Sequence, residues 1–289
     1  MLKNSIVRKP SFLCFLMLSL MLLTSCGGLF YYPDNRLYVD VNKLDIQPQQ
    51  IELKTSDDKK FFGWYFKASD NPKGKILFFH GNGQNRTAHF YSLYWILKNN
   101  YDFFIFDYPG YAESEGKASQ LSTGDAGTKA IEWIAQKNPN TPLIIFGQSL
   151  GGNIAIYSYA KNRAKVSACL VAVDSTFKSY RKVAQRVLAK QWLTWPIQGL
   201  SYLLVPESHS AEDLISEVSP TPFLVFHSKE DSVVDYQSGR DVFDSAKEPK
   251  KFFEVHGKGH IQAFTGPEQE IFRELFLAEL EKNCPTPKL

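Results

Sequence analysis

Short, unbroken apolar runs bounded by turn residues constrain this chain more than any other feature of its sequence. Residues 76–80 (ILFFH), 102–107 (DFFIFD), 142–147 (PLIIFG), 166–173 (VSACLVAV) and 222–227 (PFLVFH) lack the strict alternation of a strand with one wet face. Strands of this kind are buried on both faces, as in a parallel sheet covered by helices on each side. Helical stretches at 87–97, 125–136, 150–161, 211–217, 236–246 and 268–282 are interleaved with them. In the second of these, Ala126, Ala130, Ile131 and Ile134 share one face. Residues 50–54 and 61–67 predict two antiparallel strands joined by the polar turn 56–60, and residues 252–256 predict a further strand. The alternation predicts one α/β domain over 50–283, with a mostly parallel central sheet of about eight strands flanked by helices. A polar tail, 284–289, follows it.

The first 49 residues do not share that rhythm. Residues 1–10 carry Lys3, Arg8 and Lys9 and no acid, and residues 11–23 are almost wholly apolar. The run has the length of a secretory h-region and is short for a bilayer span. Leu23, Thr24, Ser25 and Cys26 follow and resemble a bacterial lipobox, with small residues before a cysteine. The resemblance implies a lipoprotein signal peptide over 1–25, cleaved before Cys26, and a lipid on the Cys26 sulfur. The expected place is a bacterial cell envelope, lipid-anchored, at the outer membrane in a Gram-negative host. Residues 26–49 read as a linker or N-terminal arm. Three of the 33 basic side chains leave with the leader, which balances the rest against the 30 acidic ones. A neutral mature chain has no electrostatic footprint for nucleic acid. Cys169 falls in an apolar run and Cys284 in the polar tail, so a bond between them is not expected, and no metal-ligand spacing is present.

Residues 174–220 form the longest stretch without a strand and read as a helical cap inserted over the sheet. Tyr180, Val183, Ala184, Val187 and Leu188 sit at helical spacing, and Lys178, Lys182, Arg186 and Lys190 mark a basic stripe on another face. Trp192, Leu193, Trp195, Ile197, Leu200, Leu203 and Leu204 follow. The apolar residues are expected to pack on the sheet and the basic ones to be solvated.

The chemistry centres on Gly147-Gln148-Ser149-Leu150-Gly151, a G-x-S-x-G sequence between an apolar strand and a helix. A serine on a sharp strand-to-helix turn needs small neighbours, and the helix N-terminus beneath it favours negative charge. With this motif in its context, residues 50–283 resemble the α/β-hydrolase superfamily, most closely its short-capped esterase-, thioesterase- and peptidase-like members. The resemblance implies the chain order serine, acid, histidine. Asp231, in the strand and loop FLVFHSKED, matches the acid, and His260 in Gly257-Lys258-Gly259-His260 matches the histidine. Asp174 is an alternative acid at the end of the run ACLVAV, with helix capping as its other role, and His256 is an alternative base. Glu230 reads as a solvated loop charge. The oxyanion hole is expected from the backbone N–H groups of Leu150 and Asn82, the latter in His80-Gly81-Asn82-Gly83. His80 and Asp107 are expected to be structural, and His89, His209 and His227 to be core or surface residues. Ala112 stands where many members of the family have glycine, in Asp107-Tyr108-Pro109-Gly110-Tyr111-Ala112.

The resulting expectation is a serine hydrolase that cleaves a small ester, a thioester or an acyl lipid, without a cofactor or metal and as a monomer. Two other readings stand beside it: a serine peptidase of the prolyl-oligopeptidase kind, and a non-catalytic envelope lipoprotein on a hydrolase scaffold.

Overall fold

The computed structural model describes residues 30–190 and 192–286, so the signal peptide expected over 1–25 and Cys26 lie outside the described residues. Its centre is an eight-stranded sheet: β1 (Gln49–Lys54), β2 (Lys60–Phe66), β3 (Gly74–Phe79), β4 (Tyr101–Phe106), β5 (Leu143–Gln148), β6 (Leu170–Asp174), β7 (Phe223–Glu230) and β8 (Lys250–Lys258). The spatial order is β8-β7-β6-β5-β3-β4-β2-β1. The pairs β1–β2 and β2–β4 are antiparallel, and all the others are parallel. The apolar runs behave as strands covered on both sides. Leu77, Phe79, Phe104, Phe106, Ile145, Val171, Val173 and Val225 belong to one buried cluster. Their neighbours Ile76, Phe78, Phe103, Ile105, Ile144, Phe146, Leu170, Ala172, Leu224 and Phe226 belong to the other. Period-two alternation therefore divides apolar residues between two cores instead of between core and water.

The helices that matter for the site are α1 (Gln120–Gln136), α2 (Leu150–Asn162), α3 (Tyr180–Ala189), α4 (Tyr236–Ser245) and α5 (Gln269–Asn283). Helix α1 begins five residues before the expected 125, because Ser119 accepts from the Ser122 amide while Ser122 Oγ accepts from the Ser119 amide. The expected helix 87–97 is broken into Arg86–His89, Tyr91–Tyr94 and a 3-10 turn Trp95–Asn99. Aromatic residues crowd this stretch and favour a helix weakly, and Phe90 is drawn into the core beside Phe66 and Trp64. Only Ile215–Val218 of the expected helix 211–217 is helical, as a 3-10 turn.

Three expectations are corrected. Residues 30–49 are not a free linker. Tyr32–Pro33 pairs in parallel with Gly83–Gln84, and buried Tyr31 shares hydrogen bonds with Thr123 and Tyr180. The basic stripe of α3 is largely paired, since Lys182 meets Glu212, Arg186 meets Asp235 and Asp241, and Lys178 donates to Ser245.

The third correction is a disulfide between Cys169 and Cys284, with Cα atoms 5.2 Å apart. Cys284 is not in a solvated tail but is buried at the end of α5. That helix is about 22 Å long by its rise per residue and returns its C-terminus to the edge where β6 begins. The bond closes a loop of 115 residues in sequence separation. Cys284→Ser is expected to lower unfolding free energy by about 2–5 kcal/mol, read by urea denaturation against the oxidised wild type. Equal stability of variant and oxidised wild type would remove the bond from the set of stabilising contacts.

Candidate active site

Sheet topology puts the site where it is. The chain proceeds from β3 to β4 on one side and then places β5 on the other side of β3. Such a switch point leaves a crevice beyond the carboxyl ends of β3 and β5. The loops leaving those two strands carry His80–Asn82 and Ser149. Register brings in the neighbours: Phe79 lies opposite Gly147, Gln148 opposite Asp174, and Asp174 opposite Phe226.

Ser149 sits at the turn from β5 into α2 with φ 53°, a left-handed conformation costly for a residue with a side chain. Its amide donates to the Asp174 carbonyl at 2.9 Å, and its own carbonyl accepts from Thr176 Oγ1 at 2.6 Å. Two glycines make the turn possible. A Cβ at Gly147 would lie 2.6 Å from the Gly151 carbonyl oxygen, and one at Gly151 would lie 2.2 Å from the Phe79 carbonyl oxygen.

The structure brings Ser149, His260 and Asp231 together. His260 Nε2 is 2.7 Å from Ser149 Oγ, and Nδ1 is 2.8 Å from Asp231 Oδ2. With Nδ1 protonated and held by the carboxylate, Nε2 is the free base facing the hydroxyl. Asp231 Oδ1 accepts from the Val233 and Val234 amides at 2.8 and 2.9 Å. Burial works against its ionisation, but His260 and these amides hold its carboxyl below the usual carboxylate range. Beyond His260, Ile261 adopts φ 60° and its amide donates to Ser175 Oγ. Ser175 itself has φ 56°. Strained backbone thus surrounds the three side chains, as it does where geometry is imposed by a site.

Leu150 is the first residue of α2, so its N–H has no carbonyl to meet within the helix. The facing loop is fixed by His80. Its Nδ1 lies 2.7 Å from the Gly81 carbonyl oxygen, so Nδ1 is the protonated nitrogen. Burial, with His89 and Arg86 nearby, holds the imidazole neutral by driving its pKa well down. That carbonyl belongs to the same planar peptide as the Asn82 N–H, so fixing one orients the other. The Asn82 carbonyl in turn accepts from the Tyr32 amide at 3.0 Å and Tyr111 Oη at 2.6 Å. A Cβ on Gly81 would come 3.7 Å from Ser149 Cβ, which places this loop directly over the hydroxyl. Both expected donors flank Ser149.

The remaining candidates are elsewhere. His256 is exposed beside Glu268, and Glu230 is exposed. Asp107 is fully buried and paired with the Arg86 guanidinium, which also meets Glu113. His227 is buried and His89 half-buried, with backbone partners Val234 and Gly83, and His209 lies against Tyr157. Ala112 has φ 46°, a conformation that glycine adopts without strain, and its amide donates to the Asp34 carbonyl. Asp174 does not cap a helix. It lies buried between Gln148 and Ser175, behind the three side chains and without a hydrogen bond to His260. Thr176, Ser175 and Tyr111 carry no motif and were legible only in three dimensions.

A cavity of about 580 Å³ opens from Ser149 toward the cap. Phe177, Val183, Ala184, Leu188, Leu204 and Val234 are among its walls, and no charged side chain is among the described residues that line it.

Comparison with known proteins places the chain in a family. The family model described as serine aminopeptidase, S33, matches residues 70–219. The protein YfhR of Escherichia coli strain K12 is 34% identical over 252 residues, covering 85% of this chain and 84% of that relative. A lysophosphatidylserine lipase, ABHD12, of Danio rerio is 28% identical over 198 residues, covering 65% of this chain and 51% of the relative. Among solved structures, an esterase of Pyrococcus furiosus superposes with a TM-score of 0.69 at 16% identity, covering 88% of this chain and 98% of its own.

The two carboxylates differ in sign. Burial pushes Asp174 up to about 7, above its ordinary 3.8, whereas Asp231 is lowered. Between pH 4 and 7 the folded chain keeps a proton on Asp174 that the unfolded chain releases, so this group's contribution to stability is full at low pH and lost as pH rises through about 7. Asp174→Asn is therefore expected to raise stability at pH 8 more than at pH 5, measured by urea denaturation at both. An equal shift at the two pH values would contradict a buried, protonated Asp174.

Proposed function

Because this chain belongs to the α/β-hydrolase family described as serine aminopeptidase, S33, and is an esterase- and lipase-like hydrolase, we propose that it cleaves carboxylic esters or thioesters through an acyl-enzyme on Ser149. The observation that carries the reading is the apolar cavity that ends on Ser149 Oγ. In this scheme His260 takes the Ser149 proton as the oxygen attacks the carbonyl carbon. The Leu150 and Asn82 amides receive the negative charge that develops on the carbonyl oxygen. His260 then passes the proton to the departing alcohol or thiol, and water releases the acyl group by the same steps in reverse order. Asp231 holds the imidazole tautomer and stabilises its cation.

The lining argues for an acyl group over a peptide. An aminopeptidase must seat the ammonium of its substrate near the nucleophile, and an ammonium buried without a carboxylate is costly. The described walls supply none. An acyl chain asks only for apolar surface, which they supply. The relative named as a lysophosphatidylserine lipase supports a lipid ester among the candidates.

For location, the reading is a lipid-anchored envelope protein, held through Cys26. The disulfide between Cys169 and Cys284 supports an oxidising compartment, where such bonds persist.

The test is a series of p-nitrophenyl esters from acetyl to palmitoyl, assayed with the full chain in detergent. Ser149→Ala is expected to abolish turnover, and Asp231→Asn to lower kcat by about 10³–10⁴. Asp174→Asn is expected to stay within about threefold of wild type, since it touches no reacting atom. Each added methylene should raise kcat/KM by up to about fourfold until the cavity is filled, from about 0.8 kcal/mol per buried methylene. A tenth of wild-type turnover left in Ser149→Ala would overturn the mechanism, and a maximum at acetyl would overturn the acyl cavity.

A further inference from the structure

The cap is apolar on both of its sides. Its inner side lines the cavity through Val183, Ala184, Leu188 and Leu204. Its outer side presents Trp192 at 85% exposure, Leu193 at 72%, Trp195 at 59% and Leu203 at 81%. Val187, Ile197 and Leu200 do both, for they line the cavity and are exposed. Val233, from the loop after β7, is likewise exposed and in the lining. The mouth of the cavity is thus rimmed by apolar side chains that continue onto the outer face. The sequence alone leads one to expect these residues packed on the sheet, and a soluble surface rarely carries so many large apolar side chains together.

We propose that this outer face of the cap docks on a lipid bilayer, with Trp192, Leu193, Trp195 and Leu203 entering the interfacial region and the cavity mouth opening onto it. The inference rests on the reading of Cys26 as the anchor and of the cavity as an acyl site. The occupant follows from the reach of the chain. Phe30 and Tyr32 line the same cavity as Leu188 and Leu200. Cys26 precedes Phe30 by four residues, which span at most about 14 Å when extended. A lipid on Cys26 therefore holds the cavity mouth within half the thickness of a bilayer hydrocarbon core, about 30 Å.

Side-chain chemistry agrees. Tryptophan prefers the membrane–water interface, where its ring is buried and its N–H stays wet. On and just before α3, Lys178 is spent on Ser245, Arg181 on the Val205 carbonyl, Lys182 on Glu212 and Arg186 on Asp235 and Asp241, and Lys190 is the exposed lysine at the end of the helix. Docking is thus apolar and does not require anionic lipid. Among the described residues, no helix is long and apolar enough to cross a membrane, so the contact is one of lying on the surface. A lipid ester could then pass from the bilayer into the cavity along an apolar path.

The experiment reconstitutes the full chain in phosphatidylcholine vesicles and compares wild type with the Trp192→Ser, Leu193→Ser, Leu203→Ser triple variant, none of which lines the cavity. Tryptophan quenching by brominated phosphatidylcholine reports insertion without reference to activity. Wild type should be quenched, unchanged by 0.5 M salt, and the triple variant should lose at least half of that quenching. Turnover of a long-chain ester embedded in the vesicles should fall at least tenfold in the variant, with p-nitrophenyl acetate turnover within twofold. Equal quenching of both proteins, or none in wild type, would overturn the docking surface. Quenching abolished by salt would overturn its apolar character. A wild-type dimer that the variant converts to monomer, without quenching, would assign the face to a second copy of the chain. Absence of acetate and long-chain turnover in both proteins would sink the hydrolase reading alone, since quenching still decides the docking.

Discussion

The close approach of helix α2 to strands β3 and β5 is the contact on which the rest of the site depends. Glycine at 147 and 151 lets the helix start almost against the carbonyls of Phe79 and His80. That proximity forces Ser149 into a left-handed turn and lifts its hydroxyl out of the sheet. It also sets the Leu150 amide opposite the loop that carries Asn82, so the Ser149 hydroxyl and the two amides are fixed by one packing event. A side chain at either glycine would collide with backbone of the facing segment and separate these groups. Geometry at this level of tolerance is what transition-state stabilisation demands.

Around this wedge the structure spends polar groups on holding backbone in place. His80 secures one side of the Asn82 peptide, and Tyr111 with Tyr32 secures the carbonyl on the other side of the residue. Thr176 and the Asp174 carbonyl grip Ser149 at both of its backbone groups. Asp231 uses one oxygen for His260 and the other for two amides of its own loop, so the carboxylate is positioned before it does anything else. None of these partners needs to move when a substrate arrives.

The fold was largely legible in the sequence because its strongest signals are local. Unbroken runs such as DFFIFD announce a strand with two buried faces, and a G-x-S-x-G turn after such a strand announces Ser149. Asp231 and His260 were legible through their place after two further strands. What escaped was non-local. Cys284 looks solvated in sequence, and only the return path of α5 shows that it meets Cys169. Residues 30–49 have no periodicity, because their hydrogen bonds go to side chains and loop carbonyls instead of a ladder. The cap residues were recognised as apolar, but periodicity gives a helix's faces and not which of them meets water. Of the two possible acids, motif context favours Asp231, and it is Asp231 that meets His260.

The short pairing of Tyr32–Pro33 with Gly83–Gln84 has a mechanical consequence. A tether attached upstream of residue 30 joins the folded domain through this two-residue strand, and the Tyr32 amide is bonded to the Asn82 carbonyl itself. Load from upstream would meet buried Tyr31 and its hydrogen bonds to Thr123 and Tyr180, and then the loop that faces Ser149. A pull along the two strands is resisted by few bonds, so the arm would peel before the core yields, and the loop would lose one of its clamps.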